Sequence, residues 1–286
     1  MIPGPKPSES EDKILSIRDL KYVYEGGVGA LNGVNLDIRR GEYVAIVGGN
    51  GCGKTTLAKN IIGLLRPTSG TVLVRGVPTS DQKIAALARV VGYAFQNPDH
   101  QLFCSTVLEE VRFGPLNLGF SDSEMNDHVK HALDAMNLTD VQDKPPSTLT
   151  LSQRRRVSIA SVIAMDPQIL IFDEPTTGLD MRESDELMAG IGKLNSESRT
   201  VILITHDMKL VAKYARRVVV MSEGKVMLDS EPSGVFSDLD ALLQSKLMPP
   251  PVVRLAYRLS QFGVPRDVLS PDELVMRLMM ARGDVK

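Results

Sequence analysis

The chain has 286 residues, 43% of them hydrophobic and 24% charged, which is enough for one large or two modest domains around a buried core. A formal net charge of −2 gives no basic excess for a nucleic-acid partner, and two cysteines, Cys52 and Cys104, are too few for a disulfide framework and favour a reducing compartment. No stretch approaches the roughly 18 apolar residues of a membrane span and no signal peptide is visible, so any membrane role is expected to be peripheral.

Residues 1–12, rich in Pro, Ser and Glu, read as a disordered tail. Residues 14–24 and 30–38 read as strands of a small antiparallel sheet around the turn Glu25-Gly26-Gly27, and Arg40-Gly41 turns into a third strand over 43–47. There follows Gly48-Gly49-Asn50-Gly51-Cys52-Gly53-Lys54-Thr55-Thr56, which opens a helical pattern at Leu57. Strand, GxxxxGK[ST] and helix in that order form a phosphate-binding loop. Glycines let the backbone approach an anion, successive N–H groups point at it, and the helix N-terminus adds partial positive charge. Lys54 is placed to reach the β- and γ-phosphates and the Thr55 hydroxyl to bind Mg²⁺, which predicts a nucleoside triphosphate ligand. Cys52 reads as a small residue in a tight turn.

Further along, Pro67-Thr68-Ser69-Gly70 is a turn and 71–74 a short strand. From about 98 to 165 the pattern is mostly helical. Ser121 or Ser123 caps a helix with Val129, Leu133 and Met136 on one face. Ile169-Leu170-Ile171-Phe172 is a continuous apolar run suited to a parallel strand buried on both faces, and 201–204 and 218–221 are similar. The first run ends in Asp173-Glu174, at the carboxyl edge where ligands of open α/β sheets bind. Asp173 can hold Mg²⁺, directly or through water, and Glu174 can orient and deprotonate an attacking water. The second ends in Thr205-His206-Asp207, which brings an imidazole to the same edge to sense the γ-phosphate. His128 and His131 share a helix face without a third ligand and read as solvated, like His100. Strands alternating with helices imply an α/β core, interrupted by a helical insertion and preceded by the small antiparallel sheet.

Together these motifs resemble the nucleotide-binding subunit of ABC transporters, over roughly residues 14–234. Residues 48–55 match Walker A, and 169–174 match Walker B with its catalytic glutamate. Gln96 matches the Q-loop glutamine, Gly178-Leu179-Asp180 the D-loop, His206 the switch histidine, and Tyr24 the aromatic ring set against adenine. Residues 95–103 and 106–119 are similar to energy-coupling factor (ECF) and cobalt/nickel importer ATPases. The resemblance implies a P-loop NTPase (RecA-like) core over 13–235 with an N-terminal antiparallel β subdomain, a helical subdomain at about 98–165 and a C-terminal helical extension over 236–286. It implies ATP hydrolysis with Glu174, His206, Gln96 and Lys54 as catalytic groups and Mg²⁺ on Thr55, Gln96 and Asp173. Expected partners are a second ABC ATPase subunit, a transmembrane coupling protein and a membrane subunit that binds a vitamin or metal ion, at the cytoplasmic face of the membrane. Leu102 and Phe103 would pass motion to that partner. The rival readings are a soluble ABC clamp and a weakly hydrolysing regulatory subunit.

One motif departs from the family. Where LSGGQ is the usual signature, this chain has Leu149-Thr150-Leu151-Ser152-Gln153, followed by Arg154-Arg155-Arg156. In ABC dimers this loop completes the nucleotide site of the other subunit, so Thr150, Ser152, Gln153 and Asp180 are expected to act there. Thr150 can replace the serine hydroxyl. Leu151 is expected to obstruct the phosphate, with about 1–2 kcal/mol of strain if the position needs positive φ. That favours a heterodimer with unequal sites, a homodimer with a tolerated variant being the alternative. In the C-terminal extension, Val252, Leu255, Leu259 and Phe262 read as one apolar face and Ser270-Pro271-Asp272-Glu273 as a capping box before a helix with Leu274 and Leu278. The resemblance implies dimerisation there; amphipathicity alone leaves packing onto the chain's own core open.

Overall fold

The computed structural model describes residues 12–281, so all of the expected N-terminal tail but Asp12 lies outside the described residues. Strands β1 (Lys13–Val23) and β2 (Gly29–Arg39) pair as an antiparallel hairpin whose inward residues, Leu15, Ile17, Leu36 and Ile38 among them, are buried. The fully buried β3 (Tyr43–Val47) leads through loop 48–53 into helix α1 (Lys54–Ile61). β4 (Ser69–Val74) and β5 (Val77–Pro78) extend the hairpin into a four-stranded sheet, in the order β2-β1-β4-β5. After α2 (Ile84–Ala88), β6 (Val91–Ala94) ends two residues short of Gln96. Helices α3 (Val107–Asn117), α4 (Asp122–Ala135) and α5 (Leu151–Ile163) form the helical insertion.

The remaining strands and helices alternate: β7 (Ile169–Asp173), α6 (Met181–Ser196), β8 (Thr200–Thr205), α7 (Met208–Tyr214), β9 (Arg217–Ser222) and β10 (Lys225–Ser230). They complete a second sheet in the order β10-β9-β3-β8-β7-β6, parallel except for β10 at its edge. This is the expected α/β P-loop architecture with its small antiparallel sheet. Strands β3, β7 and β8 are buried at every position because helices and the antiparallel sheet cover both faces, which is why they read as unbroken apolar runs. Register brings their carboxyl ends level: Val47 lies opposite Thr205, and Ile204 opposite Asp173.

Four helices open with reciprocal capping boxes, Thr106/Glu109 on α3, Ser121/Glu124 on α4, Thr150/Gln153 on α5 and Asp180/Glu183 on α6. Each cap contributes about 1 kcal/mol by satisfying N–H groups that have no intrahelical acceptor. Ser121, not Ser123, is the cap of α4.

The chain ends in α8 (Pro232–Ser237), α9 (Leu239–Gln244), α10 (Pro251–Leu259) and α11 (Pro271–Ala281). Here the expected apolar face is corrected. Val253 reaches the core beside Val235, Phe236, Leu242 and Leu247, and Ala256 packs on Val264, Val268 and Leu274, while the expected Val252 and Leu259 are half-buried against these clusters. Leu255 and Phe262 are exposed, Phe262 lying in a 3-10 turn beyond the end of α10, so helical periodicity does not carry that far. Ser270 accepts the Glu273 N–H, but the Glu273 carboxylate reaches back to the N–H of Leu269, so only half of the expected box forms.

Candidate active site

Loop 48–53 leaves β3 and coils over the start of α1. Gly53 is in the left-handed region (φ 107°), and a Cβ there would lie 2.6 Å from the Ala30 carbonyl oxygen; one on Gly48 would lie 2.3 Å from that of Met221. Only hydrogen fits at either place, so the loop must be glycine-rich to close this tightly. Lys54 is buried and its Nζ donates to the carbonyl oxygens of Gly48 (2.7 Å) and Gly49 (3.2 Å), which hold the ammonium inside the loop. Cys52 is buried, and its N–H donates to Gly49, as expected of a turn residue. The Gly49 N–H in turn donates to the Ser245 carbonyl just past α9, docking the C-terminal segment on the loop.

Next to this loop, Asp173 is buried at the end of β7. Its Oδ2 accepts from the hydroxyls of Thr55 (3.0 Å) and Tyr93 (2.7 Å). Burial, reinforced by the Asp173 charge and hydrogen bond, pushes the Tyr93 phenol well above its usual range, so it remains a donor. Glu174 adopts φ 49°, uncommon for a residue with a Cβ, and its N–H donates to the Ile204 carbonyl. Its Oε1 lies 2.6 Å from His206 Nδ1, and its Oε2 accepts from the Thr205 hydroxyl (3.2 Å). That hydroxyl also accepts the Asp207 N–H, and Asp207 caps α7. The end of β8 therefore aims the imidazole and fixes the carboxylate together.

A cleft of about 400 Å³ gathers Tyr24, Asn50, Gly51, Cys52, Gly53, Lys54, Thr55, Thr56, Gln96, Asp173 and Glu174. Tyr24 stands at its mouth, partly exposed, with its hydroxyl 3.0 Å from that of Thr56 and its ring edge-on to Tyr22. The hydroxyl of Thr55 beside the carboxylate of Asp173 is a hard-oxygen pair. It fits Mg²⁺, which takes one or two protein oxygens and completes its shell with phosphate oxygens and water. His128 and His131 do not join any such group: one ring lies edge-on to Phe120, and the other is 3.6 Å from Glu197. No cluster of three His, Cys, Asp or Glu side chains suited to a metal occurs among the described residues.

Thr150, Ser152, Gln153 and Asp180 do not line this cleft. Thr150 and Asp180 are caps, Gln153 returns a bond to the Thr150 N–H, and Ser152 is buried. Leu151 is the first residue of α5 and is not among the residues with positive φ, so the strain expected of it is absent. Its side chain lies instead over the D-loop: a Cβ on Gly178 would stand 3.0 Å from Leu151 Cδ2. Tyr93, Thr205 and Arg155 reach the catalytic loops without having been singled out from sequence. A hydroxyl within the apolar strand β6 and an arginine on the buried face of a helix were the available signals.

Residues 31–177 match the ABC transporter family. The chain is 41% identical to the energy-coupling factor transporter ATP-binding protein EcfA of Methanocaldococcus jannaschii, over 85% of this chain and 88% of that one. Some curated relatives are longer, and this chain spans about half their length, 46% and 42% in two cases. Among solved structures, CbiO1 from Clostridium perfringens, part of the ABC transporter complex CbiONQ, superposes with a TM-score of 0.75 at 38% identity, covering 88% of this chain and 98% of that one. The cassette MJ0796, in a dimeric post-hydrolysis state bound to ADP and Pi, gives 0.69 at 28% identity over 76% of this chain and 98% of that one. With the loop, the paired acids and the histidine at one sheet edge, the chain belongs to the ABC transporter family as a P-loop cassette, and its relatives include energy-coupling factor ATP-binding proteins.

Proposed function

We propose that this chain hydrolyses ATP to drive an ECF-type importer of a vitamin or transition-metal ion, working as a nucleotide-gated dimer. The observation that carries the reading is the Glu174 carboxylate fixed between His206 and Thr205 on the same cleft as Lys54, Thr55 and Asp173. Loop N–H groups and Lys54 bind the β- and γ-phosphates, and Tyr24 stacks on the base. Thr55, Asp173 and Gln96 hold Mg²⁺, which when bound neutralises charge between the phosphates. Glu174 takes a proton from water as the water oxygen attacks the γ-phosphorus; the bond to the ADP oxygen breaks and ADP leaves with that electron pair. His206, tied to Glu174 through Nδ1, keeps its other ring nitrogen for the γ-phosphate.

The N-terminus of α5 acts in the other subunit's site. Gln153 gives its N–H to Thr150, while the N–H groups of Leu151 and Ser152 have no intrahelical acceptor and suit an anion. Asp180 faces that site in the same way. The branched Leu151 side chain weakens the site that this α5 completes, which favours a heterodimer with unequal sites. A groove lined by Phe103, Phe113, Leu116 and Met125 receives the transmembrane partner, and Leu102 anchors it to the core. Among the described residues no helix is long and apolar enough to cross a membrane, in keeping with a peripheral subunit at the cytoplasmic face. The resemblance to CbiO1, part of a transporter complex, favours this reading over a soluble clamp.

The test is to solubilise membranes of the native host in mild detergent and purify through a tag on this chain. Recovery of stoichiometric integral membrane protein is expected. Recovery only from the soluble fraction, without such a partner, would favour the clamp.

A further inference from the structure

Two segments that line the cleft and the turn that follows one of them are joined from behind by one buried side chain. Arg155, in the second turn of α5, is 5% exposed. Its Nη1 donates to the carbonyl oxygens of Gln96 (2.9 Å) and Glu174 (3.1 Å), and its Nη2 donates to that of Thr177 (2.8 Å). Those acceptors belong to the segment after β6, the end of β7 and the turn that leads to α6. Neighbouring Arg154 and Arg156 pair with Asp99 and Glu186, whereas Arg155 directs its terminal nitrogens to main-chain oxygens. Burial pulls its guanidinium down from its usual range, with the Glu174 charge opposing.

Burying a cation without a bonded carboxylate is unfavourable, and an apolar side chain of the same length would fill the space more stably. The planar fork is what an apolar residue, or a lysine, does not supply: donors fixed in directions that reach several oxygens at once. A second strap runs parallel to it. The Gln101 amide donates to the Ser158 carbonyl (2.8 Å) and the Ser161 hydroxyl (2.9 Å), and accepts from the Ser158 hydroxyl (2.7 Å), all on α5. Segment 96–101 therefore moves with α5. The main chain of Glu174 is held on both sides, its N–H by Ile204 and its carbonyl by Arg155, while it sits at φ 49°.

We propose that Arg155 is a positioning residue that locks the Gln96 segment, the Glu174 peptide and the Thr177 turn to α5, so that the attitude of the helical insertion sets the catalytic geometry at Glu174. Without the fork, the Glu174 peptide is free to leave its uncommon conformation and the carboxylate loses its aim. Arg155 does not touch the phosphate loop, so nucleotide binding should survive its loss.

The experiment compares Arg155→Met and Arg155→Lys with the unchanged protein in the same purified assembly. It measures steady-state turnover, binding of a fluorescent ATP analogue in EDTA, and the double variant with Glu174→Gln. Expected are a fall in kcat of at least tenfold for both single variants, a nucleotide Kd within twofold, and no further loss when Arg155→Met is added to Glu174→Gln. If Arg155→Met does not fold, Arg155→Lys carries the test, because it keeps the buried charge and removes only the fork. Turnover within twofold of the unchanged protein for the folded variants, a parallel loss of nucleotide binding, or losses that multiply in the double variant would overturn the proposal. The inference rests on the ATPase reading of the cleft. If Glu174→Gln turns over ATP normally, that reading fails; a dead Glu174→Gln beside an active Arg155→Met removes only the role of Arg155.

Discussion

At the scale of single residues, the cleft is held together by second partners. Asp173 is gripped through Oδ2 by Thr55 at the start of α1 and by Tyr93 from β6, so the tyrosine holds the orientation in which the proposed Mg²⁺ would meet the carboxylate. Tyr93→Phe removes one hydrogen bond, worth about 1.5–3 kcal/mol at a charged acceptor, and leaves the ring packed edge-on against Phe95. The expected result is a roughly ten- to hundredfold weaker Mn²⁺ affinity with nucleotide present, read by electron paramagnetic resonance, at unchanged metal-free nucleotide affinity; unchanged Mn²⁺ affinity would contradict the assignment. A different control acts on Cys104. Burial, then the charge and hydrogen bond of Glu110, push its thiol up to about 11. At pH 8 its alkylation by iodoacetamide should be roughly a hundredfold slower than that of free cysteine, and should accelerate as pH approaches the thiol's own value. Peptide mapping separates it from Cys52, and a rate like that of free cysteine would show that the site does not hold the thiol protonated.

At the scale of elements, most strands and the Ser121 cap were legible because both rest on local physics, whereas the caps at Thr106, Thr150 and Asp180 were not read. Runs such as Ile169-Leu170-Ile171-Phe172 announce burial on two faces, and Ser121 and Glu124 meet because three residues of helix bring them together. The glycine pattern at 48–53 was readable for the same reason. Arg155 and Tyr93 were not, since their partners lie on other elements and nothing near them in sequence records the contact. The apolar face of α10 was legible only at Val252 and Leu259; Leu255 and Phe262 are exposed, and the buried side is set instead by Val253 and Ala256 meeting the turn and helix that follow, through Val264 and Leu274. Leu151 belongs at this scale too. As the first residue of α5 it is unstrained, so any penalty arises from its bulk against a partner's nucleotide. Leu151→Gly in the intact assembly should raise ATP turnover by up to tenfold, equivalent to about 1.4 kcal/mol. Rates equal to those of the unchanged protein would remove the argument for unequal sites.

At the scale of the whole molecule, the C-terminal segment faces two ways. Its inner side is part of the core through Leu242, Leu247 and Val253, and it meets the phosphate loop where Gly49 donates to Ser245. Its outer side presents Leu255, Phe262, Val275, Met276, Met279 and Met280 to solvent. Apolar exposure of this extent is what a subunit interface looks like before its partner is present. The paired substitution Leu255→Glu and Phe262→Glu should therefore convert nucleotide-free dimer to monomer by light scattering, with the circular dichroism spectrum unchanged because neither side chain is buried within its own subunit. A mass unaffected by the pair would move the resting interface elsewhere.

The functional reading of the cleft depends on Glu174 acting as the base of a phosphate-cleaving site. The most direct test is single-turnover release of phosphate from Mg-ATP bound to the assembly purified through this chain, unchanged and with Glu174→Gln. The account predicts that the substitution leaves nucleotide bound as ATP and slows phosphate release by at least a hundredfold. Equal rates from the two proteins would contradict it, and would mean that the carboxylate beside His206 is not what cleaves ATP.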